Sequence, residues 1–105
     1  MREKDKQIIL QLKGLLQQEV ELNEIRIFGS RAGDSFSEES DIDVYIQVDT
    51  TSREIKDKIR ELCWYVSYEY GVVISPLIFS KDEVENSPLK SSPIIKNIYS
   101  DGIAI

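Results

Sequence analysis

The sequence predicts a small α/β (α+β) domain, a short β-sheet with helices packed on it, on three observations. Helix-period and strand-period stretches alternate along the chain instead of segregating into halves. The 105 residues suffice for one core, so residues 1–105 are read as a single domain. Hydrophobic residues make up 41% and charged residues 30%, a balance of globular rather than disordered chains.

The first element is an amphipathic helix. Ile8, Ile9, Leu12, Leu15, Leu16 and Val20 recur at helical spacing opposite a face of Lys, Gln and Glu. Ile25-Arg26-Ile27-Phe28 then reads as a short strand stopped by Gly29. Residues 30–40, rich in Gly, Ser, Asp and Glu, read as a short helix and then a loop. Asp41 to Asp49 is the cleanest strand: Ile42, Val44, Ile46 and Val48 share one face, and Asp41, Asp43, Tyr45, Gln47 and Asp49 the other.

Thr51-Ser52-Arg53-Glu54 has the form of a capping box that opens a second long helix. Its buried stripe is Ile55, Ile59, Leu62 and Val66, and Gly71 is its stop. Val72 to Phe79 reads as a third strand, which Pro76 pushes to an edge or a bulge. Ser80-Lys81-Asp82-Glu83 caps a short helix, and 87–92 is a loop. Pro93 suits the first turn of a last helix with Ile94, Ile95 and Ile98 inward. Asp101-Gly102 ends that helix, and 103–105 adds a short strand.

Composition narrows the chemistry. The net charge is −6, and there is no dense basic run, which argues against nucleic acid as a bulk partner. The chain has no His, which removes the usual general base and any Ser-His-Asp or Cys-His triad. With one Cys, Cys63, neither an internal disulfide nor a zinc site is expected, and Cys63 reads as a small core residue. No apolar run is long enough for a membrane span, and the N-terminus lacks the form of a signal peptide, so the expected location is cytoplasmic. Chemistry must rest on carboxylates, hydroxyls, Arg, Lys or a metal.

The informative stretch is Gly29-Ser30-Arg31-Ala32 after one strand, then Ser40-Asp41-Ile42-Asp43 opening the next. Gly29 lets a phosphate approach the backbone. The Ser30 hydroxyl and nearby N–H groups can donate to phosphate oxygens, helped by a helix N-terminal dipole. Asp41 and Asp43, at i and i+2 of a strand, point to one face with Cα atoms about 6.5–7 Å apart. Carboxylates that close repel unless a cation lies between them, and Mg²⁺ suits the position. A turn and a solvated strand face are the bland alternatives for each half alone. Arg31 has two readings, a bidentate phosphate contact or a surface ion pair with Glu38 or Glu39. Lys81, Lys90 and Lys96 read as solvated charges. Trp64, Tyr65 and Tyr68 lie off the buried stripe of their helix, as an interface or as part of a wider buried arc.

The two-part pattern Gly29-Ser30-Arg31-Ala32-Gly33 and Ser40-Asp41-Ile42-Asp43 resembles the minimal nucleotidyltransferase family of the DNA polymerase β superfamily. The resemblance covers essentially the whole chain, and Ser92 to Ile103 resembles the family's final helix and strand. It implies a palm-like mixed sheet backed by helices. Gly29 and Ser30, with Arg31 as a candidate third contact, would hold the triphosphate of ATP or another NTP. Asp41 and Asp43 would bind Mg²⁺ as catalytic ligands. The implied reaction moves a nucleotidyl group, AMP when ATP is the donor, to a hydroxyl on a protein or small molecule. The implied partner is a HEPN-domain protein, with the chain as its antitoxin; a homo-oligomer is left open.

The family's third carboxylate belongs on the strand after the long helix. That strand here reads Val72-Val73-Ile74-Ser75-Pro76-Leu77, with Ser75 at the matching position. A neutral hydroxyl is a poor substitute for a base or a metal ligand. Glu69 and Asp49 are near in sequence, but nothing in the pattern places them in the site. Three readings follow: an active transferase, a weak or binding-only relative that neutralises a partner, and a generic interaction domain. A cleft in which Asp41 and Asp43 face Ser30 separates the first two from the third.

Overall fold

The computed structural model describes residues 1–33 and 40–105. Helix α1 (Glu3–Glu19) leads into strand β1 (Leu22–Phe28) and a single 3-10 turn, Gly29–Ala32. Strand β2 (Ile42–Val48), helix α2 (Arg53–Tyr70) and strand β3 (Ile74–Ser80) follow. Helix α3 (Lys81–Glu85), a 3-10 turn at Pro88–Ser91, helix α4 (Pro93–Asp101) and strand β4 (Ile103–Ala104) complete the chain. The loop expected before Ser40, and the Glu38 and Glu39 offered as partners of Arg31, lie outside the described residues.

The strands form one sheet in the order β3-β2-β1-β4. β1 pairs antiparallel with β2 and β4, while β2 and β3 are parallel. Parallel neighbours need a long crossover, and α2 supplies it. β3 lies at an edge, where the missing N–H of Pro76 is tolerated, as the sequence led us to expect. β1 begins at Leu22, three residues earlier than its apolar run. Pairing of Leu22 with Val48, across a bulge, recruits the polar Asn23 and Glu24 into the strand.

Side-chain alternation sends two apolar sets to opposite faces. On one, Ile25 and Ile27 of β1 and Ile42, Val44, Ile46 and Val48 of β2 pack against Ile8, Ile9, Leu12 and Leu16 of α1 and Ile59, Cys63 and Val66 of α2. On the other, Tyr45 packs with Val84, Ile95 and Ile98, flanked by Phe28, Leu77 and Phe79. The second face of β2 is therefore a core as well, since α3 and α4 cover Tyr45 and Gln47. The Tyr45 hydroxyl donates to Gln47 Oε1 at 2.9 Å, which satisfies a polar atom inside that core.

The helix ends are chemically specified. The N-cap of α2 is Ser52, not the expected Thr51, because the Ser52 hydroxyl reaches the N–H of Ile55. Thr51 instead donates to Glu83 Oε1 at 3.0 Å, tying the start of α2 to α3. Gly71 stops α2 in the left-handed conformation at φ +66°. Ser80 and Glu83 form a reciprocal capping box on α3, as expected. In α4, Ile95 and Ile98 point inward, but Ile94 is 46% exposed. One residue turns the helix by about 100°, which takes Ile94 off the inward stripe.

Candidate functional site

The two halves of the motif meet where β1 and β2 run side by side. Phe28, the last residue of β1, is the register partner of Asp43, so the chain turns at Gly29 directly beside the Asp43 carboxylate. Gly29 has φ +71°, and a Cβ placed there would lie 2.5 Å from Asp43 Oδ2. Only glycine gives both the backbone angle and the space. Ser30 is exposed in the turn that follows. That turn is a four-residue 3-10 helix, not the helix expected after Ser30. So few peptide units sum to little macrodipole, and any anion affinity rests on individual N–H and hydroxyl donors.

Asp41 and Asp43 act on one another electrostatically. Burial, and then the neighbouring Asp41 carboxylate, hold the Asp43 carboxyl above its ordinary range. The two acids make an electronegative point that a cation would relieve. Among the described residues no group of three or more His, Cys, Asp or Glu side chains could cage a metal. The donor set fits Mg²⁺, which is commonly held by one or two carboxylates with substrate phosphates completing its shell.

Ser75 is the register partner of Asp43 on β3, and its hydroxyl donates to Asp41 Oδ2 at 3.0 Å. The residue at the third-carboxylate position therefore orients one of the two acids, and it adds no charge. Asp49 follows the far end of β2, six residues or about 20 Å along the strand from Asp43. Glu69 is exposed on α2 and does not figure among the charges that raise Asp43.

Arg31 is 2% exposed, with its guanidinium turned into the protein. Its Nη1 donates to both carboxylate oxygens of Asp5, at 3.0 and 3.1 Å. Its Nε donates to Ser40 Oγ at 3.0 Å, and its Nη2 to the Ser40 carbonyl at 2.7 Å. A phosphate contact by Arg31 would have to break this set. In the fold it pins the Gly29–Ala32 turn to α1 and to the residue before Asp41, joining both halves of the motif from beneath. Sequence reading passed over Asp5, although a carboxylate in register with Ile8, Ile9 and Leu12 on an apolar stripe is itself the mark of a buried ion pair.

Two hollows flank these elements. One of about 280 Å³ adjoins the turn and is lined by Phe28, Gly29, Ile94, Asn97, Ile98 and Asp101. A larger one, about 510 Å³, lies between α2 and β3, beside Trp64, Tyr68 and Val73, with neither Asp41 nor Asp43 in its lining. Trp64, Tyr65 and Tyr68 are all exposed, and the Trp64 and Tyr68 rings stack at 5.7 Å. Cys63 lines the larger hollow from within, and burial pushes its thiol up to about 12, so it is an inert packing residue. Lys81, Lys90 and Lys96 are exposed. Among the described residues no helix is long and apolar enough to cross a membrane.

The family model described as "Polymerase beta, Nucleotidyltransferase" matches residues 10–105. Two relatives assigned as protein adenylyltransferases come from Methanocaldococcus jannaschii. One is 38% identical over 73 residues, covering 62% of this chain and 74% of the relative. The other is 33% identical over 81 residues, covering 77% and 75%. Among solved structures, a mutant of the toxin–antitoxin complex MntA-HepT includes a chain that superposes with a TM-score of 0.62 at 17% identity, over 99% of this chain and 72% of that one. The unmutated complex gives 0.58 at 17% identity, over 94% and 69%. At that identity the superpositions speak for the fold, and the family match and the two relatives for descent: the chain belongs to the polymerase β nucleotidyltransferase family.

Proposed function

We propose that the chain binds Mg²⁺-ATP at Gly29, Ser30, Asp41 and Asp43 and transfers AMP to a hydroxyl on a protein: the hydroxyl oxygen bonds the α-phosphorus, the α–β phosphoanhydride breaks, pyrophosphate leaves and the hydroxyl proton passes to solvent. The observation that supports this reading is the close approach of Gly29 to Asp43, which brings the turn after β1 against one of two paired carboxyl groups. A divalent metal bound there would neutralise phosphate charge and lower the pKa of the attacking hydroxyl. The chain's own part is to hold two carboxyl groups side by side, hold the phosphates against the turn, and fix Asp41 through Ser75. The protein adenylyltransferase relatives favour AMP as the group and a protein as the acceptor. The likeness to chains of a toxin–antitoxin complex favours a HEPN-domain toxin as partner and the chain as its antitoxin. The exposed Trp64, Tyr65 and Tyr68 on α2 supply an aromatic surface of the kind interfaces use.

Ser75 favours a second reading, a weak transferase that neutralises its partner chiefly by binding. With no third carboxylate beside Asp41 and Asp43 among the described residues, deprotonation of the acceptor has no dedicated base there. Incubation with α-labelled ATP and Mg²⁺, with and without the HEPN partner, separates the two. Label on protein that disappears in the Asp41→Asn/Asp43→Asn double variant is the result expected of a transferase. Tight partner binding without label would establish the binding-only reading and overturn the first.

A further inference from the structure

The 280 Å³ cavity beside Gly29 is built largely from one face of α4. Ile94, Asn97, Ile98 and Asp101 stand at i, i+3, i+4 and i+7, and Phe28 and Gly29 close the opposite side. The walls are apolar apart from one amide and one carboxylate, the composition of a small-molecule site. Ile94, although apolar, is 46% exposed there. Among the described residues no hydrogen bond engages the Asn97 side-chain amide. Among the described residues Asp101 accepts only from its neighbour Ser100, through Oδ1.

We propose that this cavity receives the adenosine end of the nucleotide, with Asn97 selecting the base and Asp101 the ribose. The inference rests on the reading of Gly29, Asp41 and Asp43 as the phosphate and metal site. Gly29 belongs to both places, so a nucleotide with its phosphates at the turn has this cavity as the adjacent recess. At about 280 Å³ the space lies near the lower limit for small-molecule pockets, about 300 Å³. It suits a nucleoside with the triphosphate left outside. Phe28, Ile94 and Ile98 offer apolar contact to the faces of a base. An Asn amide presents a donor beside an acceptor, which matches the amino group and adjacent ring nitrogen of adenine. On its N7 edge guanine presents two acceptors, O6 and N7, and there leaves the Asn carbonyl unpaired. A carboxylate one helical turn further along is suited to accept from ribose hydroxyls, as acidic residues do in dinucleotide sites.

The test is a titration with Mg²⁺ and four probes: non-hydrolysable analogues of ATP, 2′-deoxy-ATP and GTP, and inorganic tripolyphosphate. The proteins are wild type, Asn97→Ala, Asp101→Ala and Asp43→Asn. Asn97 and Asp101 are exposed, so their variants keep the fold. In wild type the ATP analogue is expected to bind about tenfold more tightly than the GTP analogue. Asn97→Ala should erase most of that difference and leave tripolyphosphate unchanged. The 2′-deoxy analogue should bind more weakly than the ATP analogue in wild type and equally in Asp101→Ala. Equal binding of the ATP and GTP analogues, unmoved by Asn97→Ala, would overturn the subsite. If tripolyphosphate then still requires Asp43, the phosphate and metal reading survives that failure. If neither tripolyphosphate nor the ATP analogue binds in a Mg²⁺-dependent way, that reading fails and the subsite falls with it.

Discussion

At residue 29 two demands coincide, a positive φ and an open approach to a carboxylate. Gly29→Ala meets a strained backbone of about 1–2 kcal/mol and a Cβ against Asp43 Oδ2. Asp43 can swing its carboxylate away, so the expected loss is larger in function than in stability. Metal-dependent nucleotide binding should fall at least tenfold while the melting temperature drops by only a few degrees, checked by calorimetry on one preparation. Asp43 makes the opposite trade. Its pKa is raised in the fold above 3.8, so the folded state holds that proton more tightly than the unfolded chain does. The stability this gives is present below about pH 4 and is lost as the pH rises through the raised value. Metal-free Asp43→Asn should therefore melt above wild type at pH 7, and the gap should close on acidification. A lower melting temperature for the variant at pH 7 would contradict this.

Elements are joined at the site by groups far apart in sequence. Arg31 holds the turn to α1 through Asp5 and to the start of β2 through Ser40. Removing one partner of a buried ion pair strands the other, at about 3–5 kcal/mol. Arg31→Ala and Asp5→Ala should each lose on that order in chemical denaturation, and the double variant much less than their sum. Additive losses would show that the pair is not coupled. The parallel register of β2 and β3 makes a further prediction. Ser75 faces Asp43 and already bonds Asp41, so Ser75→Asp places a third carboxylate with the other two. Mg²⁺ affinity and label transfer should both rise in that variant, by roughly tenfold or more. Unchanged transfer would mean that the third acid is not what limits the reaction.

Across the whole molecule, what could be read from sequence followed local periodicity. The strand over Ile42 to Val48, the stop at Gly71, the capping box on Ser80 and the edge placement of Pro76 all reflect interactions within a few residues. The juxtaposition of Gly29 and Asp43 was legible only as a two-part motif, because β1 and β2 must pair before the two meet. What escaped depended on long-range packing. The polar-looking face of β2 carries Tyr45 and Gln47 into a second core because α3 and α4, later in the chain, fold over it. Arg31 reads as a surface or phosphate-binding cation until α1, 26 residues earlier, brings Asp5 beneath it.

One metal and phosphate site shared by the turn and β2 is central to the proposed function. The most direct test is paramagnetic mapping with Mn²⁺ in place of Mg²⁺ and a non-hydrolysable ATP analogue, read on the backbone amide signals of ¹⁵N-labelled protein. Signals from Gly29, Ser30, Ile42 and Asp43 are expected to broaden first, only with metal and nucleotide together, and not in the Asp41→Asn/Asp43→Asn variant. Broadening centred on other acidic surfaces, or undiminished in the double variant, would contradict it.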